Sequence, residues 1–147
     1  MNVEEIFLIN SLFGWPASLL HRVVFLFAVA VKHKYPFIGE PNPNAIEFMR
    51  EYTEKFNVGW ILDTMRSGKL LEEAIGYIES HGIKLYGVGI NPTQHAWTSS
   101  SKPYGIYRWD DNSAGAPKIC EDGERPYLDW VTIDKEMRPI LERLANV

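Results

Sequence analysis

Three short groups of residues carry side chains able to do chemistry: Asp63-Thr64, Lys102 in the run Ser99-Ser100-Ser101-Lys102, and Asp110-Asp111. A hydroxyl and an ammonium hold phosphate oxygens, the ammonium as a point charge, and adjacent carboxylates bind Mg²⁺ directly or through water. Each group alone also has an ordinary structural role. Asp-Asp in a loop is commonly a solvated turn, a threonine after a strand bonds locally, and an isolated lysine lies on the surface. Their order along the chain, each near the end of a strand-like segment, is what gives them weight. Elsewhere His21, His33, His81 and His95 have no close metal-ligand spacing, and no G-x-S-x-G, P-loop or G-x-G-x-x-G pattern occurs. Gly87-Val88-Gly89 reads as a strand-end turn, and Trp97, Trp109 and Trp130 read as packing residues. Cys120, the single cysteine, can form neither an internal disulfide nor a cysteine zinc site; it reads as an inert thiol in a reducing cytoplasm.

The elements that must position these groups follow from periodicity. The apolar run 23–31, rich in Val and Phe, suits a strand buried on both faces. Asn44 with Glu47 three residues on resembles a capping box, and Ala45, Met49, Tyr52 and Phe56 recur at helical spacing until Asn57. Residues 58–62 read as a strand. Residues 69–81 read as a helix with Leu70, Leu71, Ala74, Ile75 and Ile78 inward, stopped by Gly82. Residues 83–88 and 104–109 are further strands, and Thr132 opens a last helix with Ile133, Met137, Ile140, Leu141 and Leu144 on one stripe. Alternating strands and helices imply a parallel sheet with helices on both faces, whose ligands sit at the carboxyl ends of the strands.

With 147 residues, 46% hydrophobic and 23% charged, the chain has the composition of one globular domain rather than of a disordered segment. A net charge of -4 provides no basic stripe for a phosphodiester backbone, which argues against nucleic acid and leaves a small phosphorylated molecule as ligand. Residues 1–22 form an atypical N-terminal segment ahead of the domain at 23–147. The apolar runs 6–13 and 23–31 are each shorter than the roughly 18 residues of a membrane span. Ala28-Val29-Ala30 resembles a signal-peptidase site, but Glu4 and Glu5 stand where a positive n-region belongs. Neither a membrane span nor secretion is expected.

The stretch Trp60-Ile61-Leu62-Asp63-Thr64-Met65-Arg66, followed by Gly68 and Leu71-Glu72-Glu73-Ala74, resembles the second motif of short, capless members of the haloacid dehalogenase-like (HAD) superfamily. Ser101-Lys102-Pro103-Tyr104 resembles its third motif, and Ile106-Tyr107-Arg108-Trp109-Asp110-Asp111, with Asn112, Ala114, Gly115 and Pro117, its fourth. Lys32-His33-Lys34-Tyr35-Pro36-Phe37-Ile38-Gly39 is similar to the segment after the nucleophile motif, and Arg125-Pro126-Tyr127-Leu128-Asp129-Trp130 to a late segment read as a structural clasp. The likeness spans about three quarters of the chain through several motifs. It implies a three-layer Rossmann-like parallel sheet flanked by helices, a single domain without a cap. It also implies that Thr64 bonds phosphate, Lys102 steadies phosphate and nucleophile, and Asp110 and Asp111 bind or orient Mg²⁺.

The family's first motif, D-x-D-x-T, supplies the nucleophile and the acid/base. Counting back from Tyr35-Pro36, its places fall on Phe25, Phe27 and Val29, and the first aspartate anywhere in the chain is Asp63. A phenyl ring neither attacks phosphorus nor shuttles a proton nor binds a cation. Loss of an essential nucleophile costs on the order of 10⁶ in turnover, and loss of acid–base assistance about 10²–10⁴. The expectation is therefore a phosphatase-like protein with impaired catalysis, no catalytic residue in place, and a weakened phosphate and Mg²⁺ pocket. Two alternatives stand beside it: an active Mg²⁺-dependent phosphatase whose N-terminus is altered here, and a non-catalytic interaction module using the apolar N-terminal runs.

Overall fold

The computed structural model describes residues 24–27 and 30–146; the run 6–13, the rest of the segment 1–22, and Val29 lie outside the described residues. The elements in chain order are β1 (Val24–Phe27), α1 (Ala45–Phe56), β2 (Gly59–Leu62), α2 (Gly68–Ser80), β3 (Leu85–Val88), β4 (Tyr107–Trp109), β5 (Lys118–Ile119), β6 (Tyr127–Leu128) and α3 (Trp130–Ala145). β1 to β4 form a parallel sheet in the order β3-β2-β1-β4, and β5 pairs with β6 in a small antiparallel ribbon. The chain is thus a mixed α/β fold built on a small parallel sheet with three described α-helices and a short 3-10 turn at Gln94–Ala96. The apolar run 23–31 does supply a strand, and that strand lies inside the sheet between β2 and β4.

The strand period of two sorts the residues of β2 between two clusters. Trp60 and Leu62 join the main core, while Ile61, fully buried, forms a separate small cluster with Tyr86. Buried residues of all three described helices belong to the Trp60 cluster: Met49 and Tyr52 of α1, Ala74 and Ile78 of α2, and Ile133, Met137 and Leu141 of α3. No described helix contributes to the Ile61 cluster. Large side chains lock the main core. The Trp60 indole stacks with Tyr52 at 6.3 Å and donates to Thr53 Oγ1 at 2.9 Å, so its one polar atom is satisfied while its ring is buried. Trp130 packs against both Trp60 and Trp109, which bears out packing as the role of Trp109 and Trp130.

Several boundaries differ from the sequence expectation. Asn44 does precede α1, but it lies at φ 64° and its side chain makes no cap bond, so the capping box is not formed. The last helix opens at Trp130, not Thr132: Asp129 accepts from the amides of Val131 at 3.1 Å and Thr132 at 3.2 Å, satisfying two of the donors a helix start leaves orphaned. Gly82 ends α2 region as expected, at φ 78°. Gly87, expected in a strand-end turn, lies inside β3 opposite Ile61, and only Gly89, at φ 62° with its amide donating to Leu62 O at 2.8 Å, lies past the strand end. No helix of the described residues is long and apolar enough to cross a membrane.

Candidate functional site

Because β1 lies between β2 and β4, the carboxyl ends of three neighbouring strands come together. The register pairs Phe27 with Leu62 of β2 on one side and with Trp109 of β4 on the other. Asp63-Thr64 and Asp110-Asp111 therefore emerge on either side of the end of β1. Phe27 is level with the two strand ends, and Phe25 lies two residues further into the sheet, level with Trp60 and Tyr107. Both places expected to carry the D-x-D acids lie on this strand.

Thr64, Asp110 and Asp111 line one cleft of about 310 Å³, together with His33, Lys34, Arg66 and Arg125. Thr64 Oγ1 accepts from the Arg66 amide at 3.2 Å, a local turn that also fixes the direction of Arg66. The Arg66 guanidinium donates to the carbonyls of Pro36 and Phe37, both at 2.7 Å, and lies over the Tyr35 ring. A segment separated by some thirty residues in sequence is thereby clamped onto the rim of the cleft. Tyr35, Phe37 and Met65 stay exposed there.

On the other wall Asp110 accepts from the Asn112 amide at 3.0 Å, an Asx turn that holds its carboxylate in place. The Asp111 side chain is only 10% exposed and pairs with Arg125 Nη2 at 3.1 Å. Burial pushes the Asp111 carboxyl above its usual range and a hydrogen bond with Asp110 raises it further, while Arg125 pulls the other way. Arg125 also donates to Asn112 Oδ1 at 3.0 Å and lies 3.3 Å from His33 Nδ1, a contact that suits the tautomer with its proton on Nε2. The late segment around Arg125 therefore does more than clasp: it supplies the cation that faces the acid pair.

Lys102 is not in this cleft. It lines a second hollow of about 430 Å³ with Trp97, Ser100, Tyr104 and Arg108. Arg108 reaches Asp63 Oδ2 at 2.7 Å. Of the expected site residues, the structure thus brings Thr64, Asp110 and Asp111 to one cleft and places Lys102 in a separate hollow. Arg66, Arg125 and His33 are the cleft residues that the sequence did not single out. Their contacts join positions far apart in the chain, and no local spacing announces them.

The described residues include no cluster of three or more His, Cys, Asp or Glu side chains able to hold a metal ion. What the cleft does offer is a close pair of hard oxygen donors, one of them largely buried.

No family model and no curated protein matches the chain. A solved structure does. The chain is similar to a conserved protein from Bacteroides thetaiotaomicron, with a TM-score of 0.63 and 26% identity over 80% of this chain and 89% of that one. That protein's description names no activity.

Proposed function

We propose that the chain is a capless HAD-like protein of the phosphohydrolase type, with its catalysis impaired and a pocket for phosphate and Mg²⁺ retained. The observation that carries this reading is the register at the sheet's carboxyl edge. Thr64 and the Asp110-Asp111 pair follow the strand ends Leu62 and Trp109, and the residue level with those ends is Phe27, where the resemblance expects a carboxylate. The finer fold, a three-layer Rossmann-like arrangement spanning 23–147, belongs to the same reading and draws support from the parallel order β3-β2-β1-β4. So does a cytoplasmic setting, with which the exposed, lone Cys120 agrees.

The donor set fits a loosely held Mg²⁺, which keeps several waters and uses one or two carboxylates. Asp110 and Asp111 would hold it, and the cation would favour the charged form of the Asp111 carboxyl, which burial and the bond with Asp110 push up. When bound it would supply Lewis-acid neutralisation of phosphate charge. The chain's own residues have simpler work: the Thr64 hydroxyl bonds a phosphate oxygen, and Arg66, Lys34 and Arg125 give the cleft its anion-attracting side.

Mg²⁺ and inorganic phosphate titrations, followed by assay of generic phosphoesters, test the reading. Binding without turnover is expected, and clear Mg²⁺-dependent turnover by the pure protein would sink the claim of impairment. Phe25→Asp with Phe27→Asp should then create turnover that a further Asp110→Asn abolishes.

A second reading, an active phosphatase with an altered N-terminal segment, is favoured by the confinement of the loss to β1. The coding DNA decides it: another frame ahead of Lys32 encoding D-x-D-x-T establishes this reading, and its absence removes it.

A further inference from the structure

Two buried amides shape the irregular loop before β4. Gln94, 1% exposed, donates Nε2 to the carbonyls of Ser100 at 2.7 Å and Lys102 at 3.1 Å, and its Oε1 accepts from the Tyr104 amide at 2.8 Å. Asn91, 2% exposed, donates to Tyr104 O at 2.9 Å and accepts from the amide and hydroxyl of Thr93. A buried amide is costly unless its bonds are made, so each bond selects one path for the loop. Apart from one short 3-10 turn at Gln94–Ala96, backbone that forms neither helix nor strand is thereby held to a single shape, the condition under which a loop recognises a ligand without a large ordering cost.

The outer side of that loop carries a consistent chemistry. Trp97, 38% exposed, stands at 88° to Tyr104 with ring centroids 5.6 Å apart, so two aromatic walls meet in a corner. The hollow beside them, about 430 Å³, is also lined by Ser100, Lys102 and Arg108. Its volume is within the range of small-molecule pockets. Arg108 spends one nitrogen on Asp63, leaving other donors of its fork, and Lys102 forms no ion pair among the described residues.

We infer that this hollow recognises a small molecule carrying a planar aromatic ring and an anionic group, phosphate or carboxylate. The ring enters the Trp97–Tyr104 corner and the anion meets Lys102 and Arg108. This hollow is separate from the Thr64 and Asp110-Asp111 cleft, so the inference stands independently of the reading above, and the hollow itself requires no Mg²⁺.

Calorimetric titration of the full chain, without Mg²⁺, with phenyl phosphate, benzoate, inorganic phosphate and phenol tests this. Phenyl phosphate or benzoate should bind at least about tenfold tighter than either inorganic phosphate or phenol, in line with the size of base–aromatic stacking. Phenyl phosphate ahead of benzoate identifies the anion as phosphate, and the reverse order as carboxylate. Trp97→Leu should erase the advantage over inorganic phosphate, and Lys102→Ala the advantage over phenol. In the unsubstituted protein the Trp97 indole resonance should shift with ligand, a readout independent of how the variants fold. Equal binding of phenyl phosphate and inorganic phosphate, with an unmoved Trp97 indole, overturns the inference and leaves the phosphohydrolase reading intact. Ring-dependent binding with no response to Mg²⁺ or to Asp110→Asn upholds the inference whatever the outcome for that reading.

Discussion

Asp63, just past the end of β2, and Arg108, in β4, meet at 2.7 Å, so their ion pair links the strands on either side of β1 past the strand between them. Both side chains are well exposed, 39% and 40%, and water screens the pair. A double-mutant cycle with Asp63→Ala and Arg108→Ala, read by denaturant unfolding, should give a coupling of about 1 kcal/mol or less, falling with salt. A larger, salt-independent coupling would mean the pair is far more shielded than this exposure implies.

Glu51 receives two hydrogen bonds from Arg138, at 2.8 and 2.9 Å, which tie α1 to α3. They hold the Glu51 carboxyl down at about 2, against an ordinary 4.5. A carboxylate whose pKa is lower when folded adds stability above its unfolded value and loses it as pH falls through its folded value. The stability gap between the natural chain and Glu51→Gln should therefore be constant above about pH 5 and vanish on acidification toward pH 2. With Glu51 partly exposed, the gap should be about 1 kcal/mol or less.

Two glycines should respond to alanine with opposite signs. A methyl at Gly39 would collide with the carbonyl oxygen of Lys32, where the chain folds back and Lys32 N bonds Glu40 O at 2.8 Å. Gly39→Ala should cost about 1–3 kcal/mol. Gly76 lies on an exposed side of α2 with nothing near its added methyl, so Gly76→Ala should stabilise by about 0.5–1 kcal/mol. Thermal melts of the two variants check both directions.

Asp129→Ala should cost about 0.5–2 kcal/mol by leaving the first amides of α3 without their cap, while Thr132→Val should cost less because Asp129 keeps both amide bonds. Equal losses would show that the Thr132 hydroxyl bond, and not the cap, holds the helix start.

Much of the fold could be read from local pattern because local pattern is what makes it. Ala74 and Ile78, four residues apart, both reach the core, and the Ile133, Met137, Leu141 series does the same in α3. The apolar run containing β1 reads as a strand of a parallel sheet, and β1 pairs in parallel with β2 and β4. The ribbon of β5 and β6 went unseen because two-residue strands carry no period. Asn44 misled because a favourable cap residue was placed in a left-handed backbone conformation from which its side chain makes no cap bond. At the site, Thr64, Asp110 and Asp111 were legible as polar residues following strands. Arg125, whose contacts reach back to His33, was not, since only the folded chain brings those positions together.

In the strand order, β4 has β1 as its only described neighbour. The stretch with the earliest residues of the sheet is thus its keystone: without it, β2 and β3 remain a pair and β4 is orphaned, carrying the acids away from Thr64. A change confined to Val24–Phe27 acts on architecture as well as on chemistry, because the same few residues join the two strands from whose ends the cleft's halves extend.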